Sequence, residues 1–134
     1  MHVVLCAGPK DHGKGEHDYP LWQRRWSKLL PLADNVTVST AGVASQIGPF
    51  FAQTKAQLAV SLNAPDDARR TEVMPITRKY PLAQVRAALL RHLPAGKHVL
   101  FAYALFDGFN DAPADARLVA AFCEGIACRV NVIP

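Results

Sequence analysis

With 134 residues, half of them hydrophobic and 19% charged, the chain has the size and composition of one globular domain with a modest core, and it is too apolar for a disordered segment. A net charge of +4 and a pI near 9.2 permit a nucleic-acid partner without requiring one. The cations (Arg24, Arg25, Lys28, Arg69, Arg70, Arg78, Lys79, Arg86, Arg91) are dispersed, with no interleaved aromatic platform, and read as solvated helix faces.

The chain opens with an apolar, β-like run, His2–Gly8. It is too short for a secretory leader and no basic residue precedes it; no later run reaches membrane-spanning length, so a cytoplasmic location without membrane contact is expected. The polar loop Pro9–Asp18 follows. Gly8 to Gly15 nearly spells a phosphate-binding loop, with two glycines and Lys14. Gly15, however, stands where a Ser or Thr should hold magnesium, and the next helix starts too late to aim its N-terminus at a phosphate, so a polar turn is expected. His12, Glu16, His17 and Asp18 are suitable metal ligands, but no helical register makes them converge, and no metal site is assigned. A helix is expected from about Tyr19 to Leu32, capped by Asp18, with Pro20 in its first turn and Trp22, Trp26, Leu29 and Leu30 on its core side.

Asn35–Thr40 is rich in β-branched residues and predicts a strand. Ala44–Gln53 is a helix candidate interrupted by Gly48 and Pro49. Leu58–Leu62 is the strand around which the rest is organised, because apolar residues lead into Ser61 and Asn63 and then into a Pro-Asp-Asp turn. Asp66–Met74 predicts a short helical turn capped by Asp66 or Asp67. Pro81–Leu93 predicts a helix with Leu82, Val85, Leu89 and Leu93 on one side, stopped by Pro94-Ala95-Gly96. His98–Phe106 is a strand. The turn-rich Asp107–Asp111 leads to a helix opened by Asp111 and Pro113, which runs to about Glu124. Arg129–Ile133 is a last strand. Cys6, Cys123 and Cys128 match no zinc or iron–sulfur spacing and read as packed free thiols.

Strands and helices alternate with short connections, which calls for parallel strands joined by right-handed crossovers. About five strands are too few for the usual eight-stranded closure. The fold class is therefore α/β: a partial parallel (βα) barrel or an open parallel sheet of about five strands. Its open edge predicts self-association. In such folds ligands sit at the C-terminal strand ends, here Ser39 and Thr40, Ser61 and Asn63, Asp107, and Asn131. A strand covered on both faces obliges Asn131 to find a partner. Facing the same way as Ser61 and Asn63, it would hold a polar ligand; facing outward, or satisfied internally, it would not.

Five motifs occur in order from Asn35 to Pro134: NVTVSTAG, LAVSLNAPDD, MPITRKYPL, YALFDGFND and CRVNVIP. This series resembles the C-terminal part of the barrel of radical-SAM rRNA/tRNA adenine-C2 methyltransferases, the RlmN/Cfr family. The resemblance implies an S-adenosylmethionine site at Ser39, at Ser61, Leu62 and Asn63, and at Asn131, with Asn63 standing where many members have His. It also implies rRNA or tRNA as substrate. The family's CxxxCxxC loop for a [4Fe–4S] cluster, its Gly-Glu-Pro segment and its catalytic cysteine have no counterpart in these residues. No catalytic residue is assigned, and the polypeptide alone is expected not to catalyse methylation.

The first segment, HVVLCAGPKDHGKGEHDYPLWQRRWSKLLPLADNVTVSTA, is similar to the start of ThuA-like sugar-utilisation proteins. VTVSTA fits both families. The chain therefore divides into a ThuA-like βα unit at 1–34 and a partial radical-SAM barrel at 35–134, packed as one domain and joined at about Asn35–Ala41. The alternatives to a methyltransferase fragment are a ThuA-like fragment and a chimera without function.

Overall fold

The computed structural model describes residues 36–134. The expected strand at His2–Gly8, the glycine-rich loop, the His12–Asp18 cluster, the helix at Tyr19–Leu32 and Cys6 lie outside the described residues. Within them the chain runs β1 (Thr37–Thr40), α1 (Ala44–Gln53), β2 (Gln57–Ser61), α2 (Asp67–Val73), a 3-10 turn (Pro75–Arg78), α3 (Leu82–His92), β3 (Val99–Ala104), α4 (Pro113–Cys123) and β4 (Cys128–Ile133). The four described strands form one sheet in the order β1-β2-β3-β4, and each neighbouring pair is parallel. It is an open parallel sheet of the expected class.

The pleat sorts the side chains. Leu58 and Val60 of β2, Val99, Phe101 and Tyr103 of β3, and Leu62 just beyond β2 point to one face and are buried. There they meet Ile47 of α1, Leu82, Val85 and Leu89 of α3, and Ile126, and together these form the core. Phe101 packs edge-on against Phe122 of α4, with ring centroids 5.4 Å apart.

Gly48 and Pro49 do not interrupt α1, contrary to expectation. Pro49 removes one helical hydrogen bond, to the carbonyl of Ser45. Ser45 is exposed, so water can satisfy that carbonyl, and the helix continues. Gly48 lies under the His92 ring, which a Cβ there would meet at 3.1 Å; the glycine lets α1 and α3 approach.

Of the two candidate caps for α2, Asp66 serves: its Oδ1 accepts from the Arg69 N–H at 2.9 Å. Asp67 caps the next helix instead, its Oδ1 accepting from the Leu82 N–H at 2.7 Å. At the other end of the α3–α4 pair, the Arg86 guanidinium donates to the carbonyls of Phe122 at 3.1 Å and Glu124 at 2.6 Å, which are the orphan acceptors at the end of α4.

β3 stops at Ala104, two residues short of the expected Phe106. The Leu105 N–H still donates to the Ile133 carbonyl of β4 at 2.8 Å, but on the β2 side, and at Phe106, side-chain amides take the backbone groups, as described below.

Candidate functional site

The strand register decides where the predicted site residues point. Ser39 of β1 pairs with Ala59 of β2. Ser61, two residues on and therefore on the same face, pairs with Ala102 of β3. Ala102 pairs in turn with Asn131 of β4. Ser39, Ser61 and Asn131 thus share one face of the sheet, opposite the helix-covered core. Small residues separate them: Ala59, Ala102 and Ala104. With strands about 4.8 Å apart and residues about 3.3 Å apart along a strand, Ser61 and Asn131 are about 10 Å apart and Ser39 is about 8 Å from Ser61.

The side chains of Ser39, Ser61 and Asn131 make no hydrogen bond to another of the described residues. A shallow floor of alanines with two hydroxyls and an amide offers both donors and acceptors to a polar ligand. The expectation that Asn131 lies in a strand covered on both faces is corrected. β4 is the last strand of the described sheet, and Asn131 is exposed, so water can satisfy its amide.

Leu62 and Asn63 are placed differently. One residue on from Ser61, the pleat turns Leu62 into the core, where it is 1% exposed. Its N–H donates to the Ala102 carbonyl at 2.9 Å, and its carbonyl accepts from Arg70 Nε at 3.0 Å. Its side chain is not on the face that carries Ser39, Ser61 and Asn131. Asn63 takes a left-handed backbone, φ 57°, which asparagine tolerates better than most residues. Its Oδ1 accepts from the Ala104 N–H at 3.1 Å, its Nδ2 faces Met74 Sδ at 3.4 Å, and its carbonyl accepts from Asn110 Nδ2 at 2.8 Å. The amide oxygen of Asn63 therefore braces β3.

Two residues that hold this rim, Asn110 and Tyr103, were not expected from the sequence. Asn110 was read as turn chemistry, yet it is 1% exposed. Its Nδ2 also donates to the Ala104 carbonyl at 2.7 Å, and its Oδ1 accepts from the Phe106 N–H at 2.7 Å. The Tyr103 hydroxyl donates to the Asn110 carbonyl at 2.8 Å; burial, then the nearby Asp115 charge, raises this phenol above its ordinary pKa.

Arg69 and Arg70, expected on a solvated face, split between two networks. Arg69 bonds Asp66 at 2.7 Å, Asp115 at 2.8 Å and the Phe109 carbonyl at 2.9 Å. The Arg69 guanidinium holds the Asp115 carboxyl below its usual range. Burial works against the same shift at Asp66, but the bonds from Arg69 outweigh it. Arg70 is 0% exposed and bonds only neutral acceptors. No local signal in the sequence separates the two roles.

Cys128 pairs with Val99 and so faces the helix side, and Cys123 ends α4. Both are half-buried free thiols against the core. Burial, and then the adjacent Cys128 thiol, push Cys123 up to about 12. Two thiols on the covered side do not supply the ligand set of an iron–sulfur cluster. Among the described residues no group of three or more His, Cys, Asp or Glu is placed to hold a metal ion, and no helix is long and apolar enough to cross a membrane.

Three-quarters of the chain is similar to RlmN-type RNA methyltransferases. A probable RNA methyltransferase of Sorangium cellulosum (strain So ce56) is 59% identical over 100 residues, covering 75% of this chain and 25% of that protein. A dual-specificity RNA methyltransferase RlmN of Marinomonas sp. (strain MWYL1) is 37% identical over 122 residues, covering 89% of this chain and 30% of that protein. The crystal structure of a radical SAM methyltransferase from Sphaerobacter thermophilus superimposes with a TM-score of 0.71 at 40% identity, over 74% of this chain and 30% of that one. The chain spans about a quarter of the length of the first curated relatives it matches. No protein-family model matches it.

The Marinomonas alignment bears on the proposed join. Covering 89% of 134 residues, about 119, it is longer than the 100 residues of the 35–134 unit and carries the RlmN likeness ahead of residue 35. A separate ThuA-like origin for residues 1–34 gains no support from these relatives.

Proposed function

We propose that the chain is part of a radical-SAM RNA methyltransferase that modifies C2 of an adenine in rRNA or tRNA, and that its open sheet face is a wall of the S-adenosylmethionine site. The observation that carries this is the register. Ser39, Ser61 and Asn131 lie on one face, over a floor of alanines, away from the core. Their donor set suits the ligand: hydroxyls and a carboxamide can pair with its ribose, amino and carboxylate groups. Asn63 supports the reading as a brace beside these groups, with Leu62 anchoring the strand end from the core side.

When bound with a [4Fe–4S] cluster, S-adenosylmethionine supplies the radical and methyl chemistry that no side chain can. The three cysteines at 6, 123 and 128 cannot form a CxxxCxxC loop, so these 134 residues bind and orient rather than react.

Calorimetric titration of the chain with S-adenosylmethionine tests the reading. Saturable binding, weaker than that of a full-length relative, is expected. Ala102→Phe, which sets a ring between Ser61 and Asn131, should abolish it while leaving the fold intact. Absence of binding by the unaltered chain, or undiminished binding by the variant, refutes the assignment. Anaerobic iron–sulfide reconstitution should yield neither a stoichiometric cluster nor 5′-deoxyadenosine.

A further inference from the structure

Arg70 is a fully buried cation to which, among the described residues, no carboxylate is bonded. Its Nε donates to the Leu62 carbonyl at 3.0 Å, and Nη1 donates to Thr77 Oγ1 at 2.7 Å. Nη2 donates to the Ala41 carbonyl at 2.7 Å and the Ser61 carbonyl at 2.8 Å. Four of the five guanidinium N–H groups are thereby spent on neutral oxygens. Desolvation lowers its pKa, and the charge of Asp67 only partly opposes this.

Filling space does not require such an arrangement. Apolar side chains lie close by: the point that a Cβ at Gly42 would occupy is 3.4 Å from Arg70 Nη2, 3.3 Å from Val85 Cγ2 and 3.5 Å from Val60 Cγ1. A hydrophobic side chain of similar volume in that space avoids the desolvation cost of a buried cation. What the guanidinium supplies is a planar fork that reaches several carbonyls at fixed angles, which neither lysine nor an aliphatic residue reproduces.

The carbonyls it reaches lie where the sheet ends. The paired register of β1 and β2 runs out at Thr40 and Val60. One residue further on each strand are Ala41 and Ser61, both bonded to Nη2. Arg70 thus stands in for the rung that the diverging strands no longer make. Gly42, at φ 85°, turns the chain away immediately afterwards. Ser39 lies two residues before the first of these carbonyls, and Ser61 carries the second.

We infer that Arg70 is a positioning residue for the ligand face: it locks the ends of β1 and β2 together and so fixes the directions of the Ser39 and Ser61 side chains. The inference rests on the proposed S-adenosylmethionine site for its functional consequence, and on geometry alone for the lock itself.

The test uses the full chain with Arg70→Lys, and Leu89→Ala as a core variant that destabilises away from the rim. Two readouts are taken at a temperature where each protein is folded: S-adenosylmethionine affinity by calorimetry, and amide hydrogen exchange by NMR. Arg70→Lys should weaken binding by about tenfold or more and speed exchange selectively at residues 41–42 and 61–63. Leu89→Ala should leave affinity near that of the unaltered chain and raise exchange broadly. Arg70→Lys with unchanged affinity, or with losses no greater than those of Leu89→Ala, overturns the inference. If the unaltered chain binds no S-adenosylmethionine, the cofactor reading fails, and selective against uniform exchange still decides the lock. If Arg70→Lys does not fold, Thr77→Val replaces it, removing one bond to the guanidinium under the same criteria.

Discussion

Asn63 and Asn110, 47 residues apart in sequence, are latched to one another and to the same backbone residue. Asn110 Nδ2 donates to the Asn63 carbonyl at 2.8 Å and to the Ala104 carbonyl at 2.7 Å, while Asn63 Oδ1 accepts from the Ala104 N–H at 3.1 Å. Two amides thus satisfy β3 where its pairing with β2 ends and tie the loop after β2 to the loop after β3. Asn110→Ala leaves two carbonyls and the Phe106 N–H without their partner in a site that is 1% exposed. A loss of about 2–4 kcal/mol in unfolding free energy is expected, read by urea denaturation. Asn110→Asp, which offers the two carbonyls an acceptor in place of a donor, should lose at least as much.

Neighbouring residues on β2 should respond in opposite ways. Leu62→Ala removes a core side chain and should cost about 2–5 kcal/mol of stability. Ser61→Ala, on the half-buried open face, should change stability by about 0.5 kcal/mol or less. It should weaken S-adenosylmethionine binding by about threefold to tenfold, the worth of one hydrogen bond. Denaturant titration and calorimetry on the two variants separate the effects. A Ser61→Ala protein with full affinity would remove that hydroxyl from the site.

Acid should loosen the rim through Arg69. Its guanidinium keeps the Asp66 and Asp115 carboxyls ionised below the ordinary value of 3.8. A carboxyl whose folded-state pKa is depressed contributes stability that is fully present above its unfolded value and lost as pH falls through the folded one. The window therefore lies at and below about pH 4. Arg69→Gln should raise the acid-unfolding midpoint toward that value, with little change at pH 7 in the slope of stability against pH. Circular dichroism against pH for the two proteins checks this.

Two glycines should differ in sign. Gly42 has φ 85°, and a Cβ there would press on Val85 and on the Arg70 guanidinium. Gly42→Ala should destabilise by about 1–3 kcal/mol. Gly48 is in a helix, and the ring that its Cβ would meet belongs to the exposed His92, which can swing aside. Gly48→Ala should be neutral or stabilising by up to about 1 kcal/mol, the helix-propensity difference. Thermal unfolding of both variants gives the comparison.

Much of the architecture follows from the sequence alone. The alternation of apolar runs and helical stripes determined the parallel α/β class, and α2, α3, α4 and β4 start and end within a few residues of their expected bounds. The opposition of Ser61 and Leu62 is also a property of the chain, because a strand turns successive residues to opposite faces. Gly48-Pro49 misled because whether a helix tolerates them depends on the solvent at Ser45 and on the ring of His92, neither of which is local. The five motifs carried the methyltransferase likeness, whereas the ThuA-like reading of the first segment gains no support from the relatives.

What only the tertiary structure decided is which distant groups meet. Periodicity places Ser39, Ser61 and Asn131 on strands but does not set the slip of one strand against the next, and a slip of one residue would send a serine into the core. Nor does it tell Arg69 from Arg70: both are cations on one short helix, and only the packing of α2 over the strand ends sends one to two carboxylates and buries the other under three carbonyls. Local pattern is fixed by the backbone's own repeat; burial and register are fixed by contacts between segments far apart in the chain, whose closure no short window of sequence records.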